Sequence, residues 1–273
     1  MGFGCNAVGV TGCRIIDSPK ERIIAMITNV FVPCNGRFPV LFTMGSVLTV
    51  LYGRGESTFI SALIMTFTVI LSVIITLIAS KLIAKTLLKG EKSSFILELP
   101  PYRKPQVLKI LVRSILDRTL FVLLRAVKVA APAGLIIWCL ANFNILPYLT
   151  GFLDPLGRLM GMDGTILTGF ILGMPANEIV LPVIMMCCYA GKSLAETGGV
   201  TEVVSVFQSM GWTVVTGINI MLFTLMHFPC MTTLLTIKKE SGSIKWTAIA
   251  FILPTVMGIA VCVIINLLYQ LIF

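Results

Sequence analysis

Two long apolar runs in this chain are interrupted by the same step, a proline followed by a cysteine: PCNGRFP at 33–39 and HFPCMTT at 227–233. Proline has no backbone N–H, and inside hydrocarbon no water is present to satisfy the carbonyl it strands. Such a break persists only where protein or a polar pathway covers it. A third interruption, GMPANEIVLP at 173–182, has the same character. A single proline is also compatible with an ordinary kinked helix. Pro33, Pro175 and Pro229, however, stand beside Asn35, Arg37, Asn177, Glu178 or His227, and polar neighbours point to discontinuous or re-entrant helices.

The rest of the chain sets the class. Hydrophobic residues make up 57% of the 273, and charged residues only 12%, the balance of an integral membrane protein rather than a soluble domain. The net charge of +9 does not describe a nucleic-acid surface, because the basic residues collect between apolar runs instead of along one face. Of the eight cysteines, most sit inside apolar runs, where a free thiol packs as a small hydrophobe, and no disulfide is expected. Cys139, Cys187, Cys188 and Cys262 read as packing. The first twenty residues carry no basic segment ahead of an apolar core, so no cleavable signal is expected.

A span needs about 20 apolar residues. The clearest stretches are 58–80, 129–147 and 246–272. Shorter runs flank the breaks: 22–32 and 38–52, 165–172 and 179–190, 212–226 and 231–237. Between 81 and 128 lies the main connection, with about half of the 21 Lys and Arg, which the positive-inside rule places in the cytoplasm. It contains the extended segment ELPPYRKP (98–105), then an amphipathic stretch from Gln106 to Lys128 that reads as lying on the membrane surface. The second half is ambiguous. If GMPANE re-enters and returns to its own side, the basic loop KKESGSIK (238–245) is cytoplasmic; if it spans, that loop is outside.

Glu178 and Asn177 lie mid-run, where an ionisable group costs about 2.5–3.5 kcal/mol by insertion scales and tends to face a cavity or partner. A buried helix end is the structural alternative for Glu178. Arg37 has three possible roles: neutralising Glu178, capping half-helix carbonyls, or snorkelling outward. Cys34 and Cys230 would suit a soft-to-borderline cation, with His227 adding an imidazole, against packing as the plainer role. His227 and Cys230 share a helical face only if the helix continues through Pro229. Catalysis has little support, with one histidine and no hydrolase, zinc-protease or paired C-x-x-C motif. AGKS (190–193) imitates the end of a phosphate loop but lacks its leading glycine and strand, so no nucleotide binding is expected.

GFGCN (2–6), DSPKER (17–22), PCNGRFP, ELPPYRKP, GMPANEIVLP and KKESGSIKW (238–246) together resemble, in this order, the membrane part of the ferrous iron transport protein B family, ELPPYR being the most specific string. The resemblance implies an all-α polytopic permease of the bacterial cytoplasmic membrane, built from two gate repeats of the nucleoside-transporter type. It implies Fe(II) as the transported ion, no permanently bound cofactor and no enzymatic role for this chain. Family members carry an amino-terminal GTP-binding domain, which this chain is expected to lack together with the first part of the first gate.

By residue, the resemblance carries over Cys5 with Asn6 from the G-C-N motif, Cys34, and Cys230 from the second gate. GCNAV lacks the proline that commonly follows G-C-N, and PCNGRFP replaces the commoner S-C-S-A-R-L-P. The expected division is 1–56 as the end of a first gate domain, 57–128 as a span with the ELPPYR connection and amphipathic helix, and 129–273 as the second gate domain with the terminal spans. Partners compatible with the resemblance are the lipid bilayer, a separately encoded GTP-binding domain, small accessory iron-transport proteins and a second copy of the chain, but no nucleic acid. Two other readings stay open: a gate-domain carrier for a nucleoside-like or other small solute, and a non-transporting fragment or assembly module.

Overall fold

The computed structural model of the chain describes residues 2–51, 58–86, 120–188 and 199–272, with isolated positions at 108, 111, 112 and 116. ELPPYRKP, most of the amphipathic stretch and AGKS lie outside the described residues. All regular structure among the described residues is helical. Three stretches are long and apolar enough to cross a membrane: Thr58–Thr86 (α4), Ile244–Ile272 (α12) and Val214–Ser241. The last is the central one, since 72% of its most apolar window is buried against 17% for α4. It is also the broken one, split into α10 (Val214–Met226) and α11 (Met231–Ser241) around His227–Cys230.

The two unbroken spans show why they belong at the periphery. On α4 the buried residues are Ser61, Thr68, Ser72, Ala79 and Ile83, and on α12 they are Ala250, Pro254, Gly258, Cys262 and Asn266. Each set recurs at intervals of four or seven and forms one narrow stripe of mostly small side chains, which lets helix backbones approach where no hydrophobic drive exists between them. The remaining faces carry exposed Phe, Leu and Ile, as a lipid-facing surface requires. Thr68 returns its hydroxyl to the Ile64 carbonyl at 2.7 Å, so its own polarity is satisfied within the helix.

The span expected at 129–147 takes another form. Helix α5 runs Phe121–Asn142 and crosses the boundary drawn at 128, so the end of the amphipathic stretch and the apolar span are one helix. At Asn144 the backbone adopts φ 53°, and α6 (Leu146–Leu159) leaves at 98° to α5. Asparagine tolerates that left-handed conformation better than most residues, and α5 ends at Asn142, five residues short of the apolar limit at 147.

The expected flanks of the breaks match closely: α2 (Pro19–Thr28) with a 3₁₀ turn at Asn29–Phe31, then α3 (Phe38–Leu51), and α7 (Gly164–Leu172) before α8 (Val180–Cys188). Two further helices, α1 (Asn6–Gly12) and α9 (Gly199–Ser209), were not anticipated.

Helices α7 and α8 settle the ambiguity over GMPANE. A Cβ placed on Gly169 would meet Ile184 Cγ1 at 2.2 Å, and one on Gly173 would meet Val180 Cγ2 at 2.3 Å. Successive residues on one arm thus oppose receding residues on the other, so the segment is a hairpin that enters and returns. The two glycines are what allow its arms to touch. A separate apolar cluster then joins Val10 of α1, Ile24 and Ile27 of α2, Ile83 of α4, Ile237 of α11 and Ala250 of α12, with Trp246 packed against it. The end of α4, where the 81–128 connection begins, and the KKESGSIK loop therefore lie on the same side of the bundle. Arg14 spans this end, donating from Nε and Nη2 to the carboxylate of Glu240 at 2.6 Å each. That contact raises the arginine's pKa, chiefly through the hydrogen bond and secondarily through the charge.

Candidate functional site

Four helix interruptions meet in the middle of the bundle. Two precede a helix: Gly4–Cys5 ahead of α1, and Pro175–Ala176 ahead of the 3₁₀ turn Asn177–Ile179 that leads into α8. The residue that leads into each helical turn has the same backbone conformation, with Cys5 at φ −150°, ψ 124° and Ala176 at φ −149°, ψ 119°. The other two are the proline-cysteine steps after the 3₁₀ turn at 29–31 and after α10. In each, the residue following the cysteine donates its amide to the interruption of the first kind: Asn35 to the Gly4 carbonyl at 3.1 Å, and Met231 to the Met174 carbonyl at 2.9 Å. This repeated arrangement is the discontinuous-helix, gate-repeat fold in which transporters hold their sites.

Arg37 ties the two halves together. Its side chain is fully buried. Nη1 donates to the carbonyls of Val30 at 2.8 Å and Leu225 at 3.1 Å, and Nη2 to those of His227 at 3.1 Å and Phe228 at 3.4 Å. The Leu225 carbonyl would have bonded the amide of the residue four further on, but that residue is Pro229. One guanidinium therefore satisfies the acceptor that the proline strands in α10, as well as the carbonyl end of the matching break. Of the three roles open from sequence, capping is the one realised. Arg37 makes no ion pair with Glu178 among the described residues and does not snorkel. Its Nε is left without a partner.

Asn177 is buried beside it and donates from Nδ2 to Sγ of Cys34 at 3.7 Å, within range for sulfur, while its Oδ1 has no partner. Asn6 occupies the equivalent position. With its amide turned so that nitrogen faces the carbonyls, it donates to Val32 at 3.1 Å and Gly2 at 3.0 Å. Cys34 is buried; the Asn35 amide ties its turn to Gly4, next to Cys5, and Arg37 ties it to the Phe228 carbonyl two residues before Cys230. Cys230 Sγ also sits 3.2 Å from the Thr233 hydroxyl. Cys5, Cys34, Cys230, Arg37, Asn35, Asn6 and Asn177 are thus brought to one region by the three proline breaks and the GFGCN turn.

Two candidates stand apart. Glu178 is exposed, although its Cγ lies close enough to Gly36 that a Cβ there would meet it at 3.0 Å. It borders the site without entering it. His227 is fully buried, and its Nδ1 lies 3.0 Å from the carbonyls of both Phe223 and Thr224. Two acceptors at one ring nitrogen require that nitrogen to carry the proton, so Nε2 is bare, and it has no partner. The ring lies among Phe170, Phe223 and Phe228 with centroids 5.0, 5.8 and 5.2 Å away. The helix does not continue through Pro229, and His227 is extended at φ −75°, ψ 171°, so the helical face shared with Cys230 does not form. No three His, Cys, Asp or Glu side chains stand close enough to hold one metal ion among the described residues.

Sequence reasoning missed a second polar set. Asn219 of α10 donates to the Met160 carbonyl at 2.8 Å, and Asn266 of α12 to those of Arg158 and Leu159 at 3.1 and 3.2 Å. Together they cap the carbonyl end of α6 at Gly161, which turns there with φ 67°. The available signal was the four-residue spacing that puts Asn266 on the same stripe as Cys262 and Gly258.

Compared with known families, residues 65–117 match the one described as "Ferrous iron transport protein B C terminus" and residues 123–244 the one described as "Nucleoside recognition", a gate domain. Among curated proteins, the chain is 28% identical to "Fe(2+) transporter FeoB" of Staphylococcus aureus (strain MSSA476), over 94% of this chain and 38% of that protein. It is 25% identical to the protein of the same name from Methanocaldococcus jannaschii, over 100% of this chain and 41% of that one. With the Leptospira interrogans (serovar copenhageni) protein it shares 23%, over 98% and 42% respectively. The chain thus spans well under half the length of these relatives and corresponds to their carboxyl-terminal part. No solved structure matches it.

Proposed function

We propose that this chain, which carries the carboxyl-terminal and gate regions of the ferrous iron transport protein B family and so belongs to that family, forms the membrane path by which Fe(II) crosses the bacterial cytoplasmic membrane. The observation that carries the reading is the meeting of four helix interruptions around Cys34, Cys230 and Cys5, with the Asn177 amide oxygen buried and unpaired beside them. Thiolates attract a borderline cation, and an amide or backbone oxygen completes its shell without binding it too tightly. An ion in transit has to leave again, so an incomplete ligand set fits passage better than storage.

Within this reading Cys34 and Cys230 are the principal ligands, Cys5 flanks them, and Asn6, Asn35 and Asn177 supply polar lining. Glu178 stands at the mouth of the path. His227 acts through its grip on the end of α10, its bare Nε2 being turned among phenylalanine rings. The cytoplasmic side is the end that holds Arg14, the close of α4 and the KKESGSIK loop, since basic residues collect there. A GTP-binding domain and small accessory proteins are the partners this reading allows.

The test is iron uptake by the complete transporter in cells lacking other routes. Cys34→Ser and Cys230→Ser should each lower uptake while insertion stays normal, since a hydroxyl is a poorer ligand than a thiolate. Uptake unchanged in both, or transport of a nucleoside that is indifferent to chelators, would replace this reading with the organic-solute carrier.

A further inference from the structure

We propose that Arg37 is the positioning residue of this site: a single guanidinium that clamps the carbonyl ends of both repeats and thereby sets the separation of Cys34 and Cys230. This deepens the cation-path reading and rests on it for the role of the two thiols, but not for the clamp itself.

The two breaks share the proline-cysteine step and an amide bond to the opposing interruption, and they differ at the third residue after the cysteine. Three residues after Cys34 stands Arg37; three residues after Cys230 stands Thr233, whose short side chain turns back to its own cysteine. The arginine is therefore not duplicated. From its place in the first break it reaches the Val30 carbonyl on its own side and three carbonyls, Leu225, His227 and Phe228, on the other. Two arginines would put like charges face to face in a buried space. One, with a planar fork of five donors, holds two chain ends in fixed register.

The geometry transmits directly to the thiols. Cys34 is three residues from Arg37 along the chain, and the Arg37 amide bonds the Cys34 carbonyl at 2.9 Å. Cys230 follows the gripped Phe228 carbonyl by two residues, one of them the rigid Pro229. Any displacement of the Val30 end against the Leu225–Phe228 end has to change the distance between the two sulfurs. The clamp also carries the only described bonds from this side chain, all to main-chain oxygens, so its partners cannot be lost through a change in another side chain.

The experiment uses the full-length transporter with Cys34 and Cys230 as its sole cysteines, treated with thiol-to-thiol cross-linkers of graded length. The unaltered site should be captured best by one short linker. Arg37→Gln should flatten that length preference or move it to longer linkers, with Arg37→Lys doing the same, because an ammonium keeps the charge yet cannot bridge four carbonyls on two chain ends. If Arg37→Gln does not yield monodisperse protein, Arg37→Lys alone carries the test. An unchanged length preference in a well-folded Arg37 variant overturns the clamp. Failure of every linker in the parent overturns it as well, since the sulfurs would not be juxtaposed. A preserved clamp with iron uptake indifferent to both cysteines would instead sink the cation-path reading and leave the clamp standing.

Discussion

The Asn177 amide reaches Sγ of Cys34 at 3.7 Å across the interface between the re-entrant hairpin and the first proline-cysteine break. These residues are far apart in sequence. Replacing Asn177 with Leu keeps the bulk and removes both the donor and the unpaired oxygen. The expected result is faster alkylation of Cys34 by a small maleimide and a lower iron uptake, with insertion unaltered. Labelling at the parent rate would show that the amide does not shield the thiol.

Gly169 and Ile184 make the hairpin possible, because a Cβ on the glycine would lie 2.2 Å from Ile184 Cγ1. Overpacking a filled interior costs about 1–3 kcal/mol, so Gly169→Ala should lower the melting temperature measured by loss of monodisperse protein on heating. Pairing it with Ile184→Ala should recover part of the loss, since the second change vacates the contested volume. Additive losses in the double variant would mean that the arms do not bear on each other here.

The broken runs were legible because proline inside an apolar stretch has few solutions in a membrane. The bounds of α3, α10 and α12 follow from where apolar residues start and stop. What sequence could not show is which donor answers each stranded carbonyl. Arg37 could equally have met Glu178, and only the fold brings it to Leu225 instead. His227 is attractive as a ligand because HxxC suits a helix, but the helix ends at Met226, where Pro229 has no N–H for the Leu225 carbonyl, and the extended His227 backbone keeps ring and thiol from sharing a helical face. Helix α1 was hidden by its glycines, which suggest a loop in isolation. In place they are close-packing positions, since a Cβ on Gly9 would strike the Asn29 side chain at 2.5 Å.

The Arg14 to Glu240 pair joins the ends of two elements on the basic side, but the arginine side chain is 61% exposed. Exposed pairs contribute about 0.2–1 kcal/mol and weaken with salt, so Arg14→Ala should cost little and a double-mutant cycle should return a coupling within that range. The pair raises the arginine's pKa, so this contribution is fully present below the arginine's unfolded pKa and is lost only as pH rises through the higher folded one, beyond any working pH. In the neutral range salt, and not pH, should therefore modulate it, and a coupling that survives 1 M salt would count against this account.

The cluster of Ile83, Ile237 and Trp246 puts the end of α4 and the KKESGSIK loop on one side of the bundle. A cysteine at Lys239 and one at Ser93, in the connection outside the described residues, should both be labelled by an impermeant maleimide only after the cells are opened. Labelling of Lys239→Cys in intact cells would place that end outside, and labelling of one site but not the other would contradict the cluster that Ile83 and Ile237 share.

Glu178 gives the sharpest separation between function and stability. It is exposed at the edge of the site, beside Gly36 of the PCNGRFP turn and one residue from the buried Asn177, and it has no described ion-pair partner whose loss would unfold the chain. A carboxylate so placed raises the local concentration of a cation at the mouth of the path without having to bind it tightly. Glu178→Gln keeps the shape and removes the charge. Iron uptake should fall chiefly through a higher apparent KM, the loss should shrink as ionic strength rises and screening weakens the parent's advantage, and the melting temperature should stay near the parent value. An unchanged KM with a lowered melting temperature would assign the residue to structure, and a collapse of the maximal rate at saturating iron would move it from the mouth of the path to a ligand position inside it.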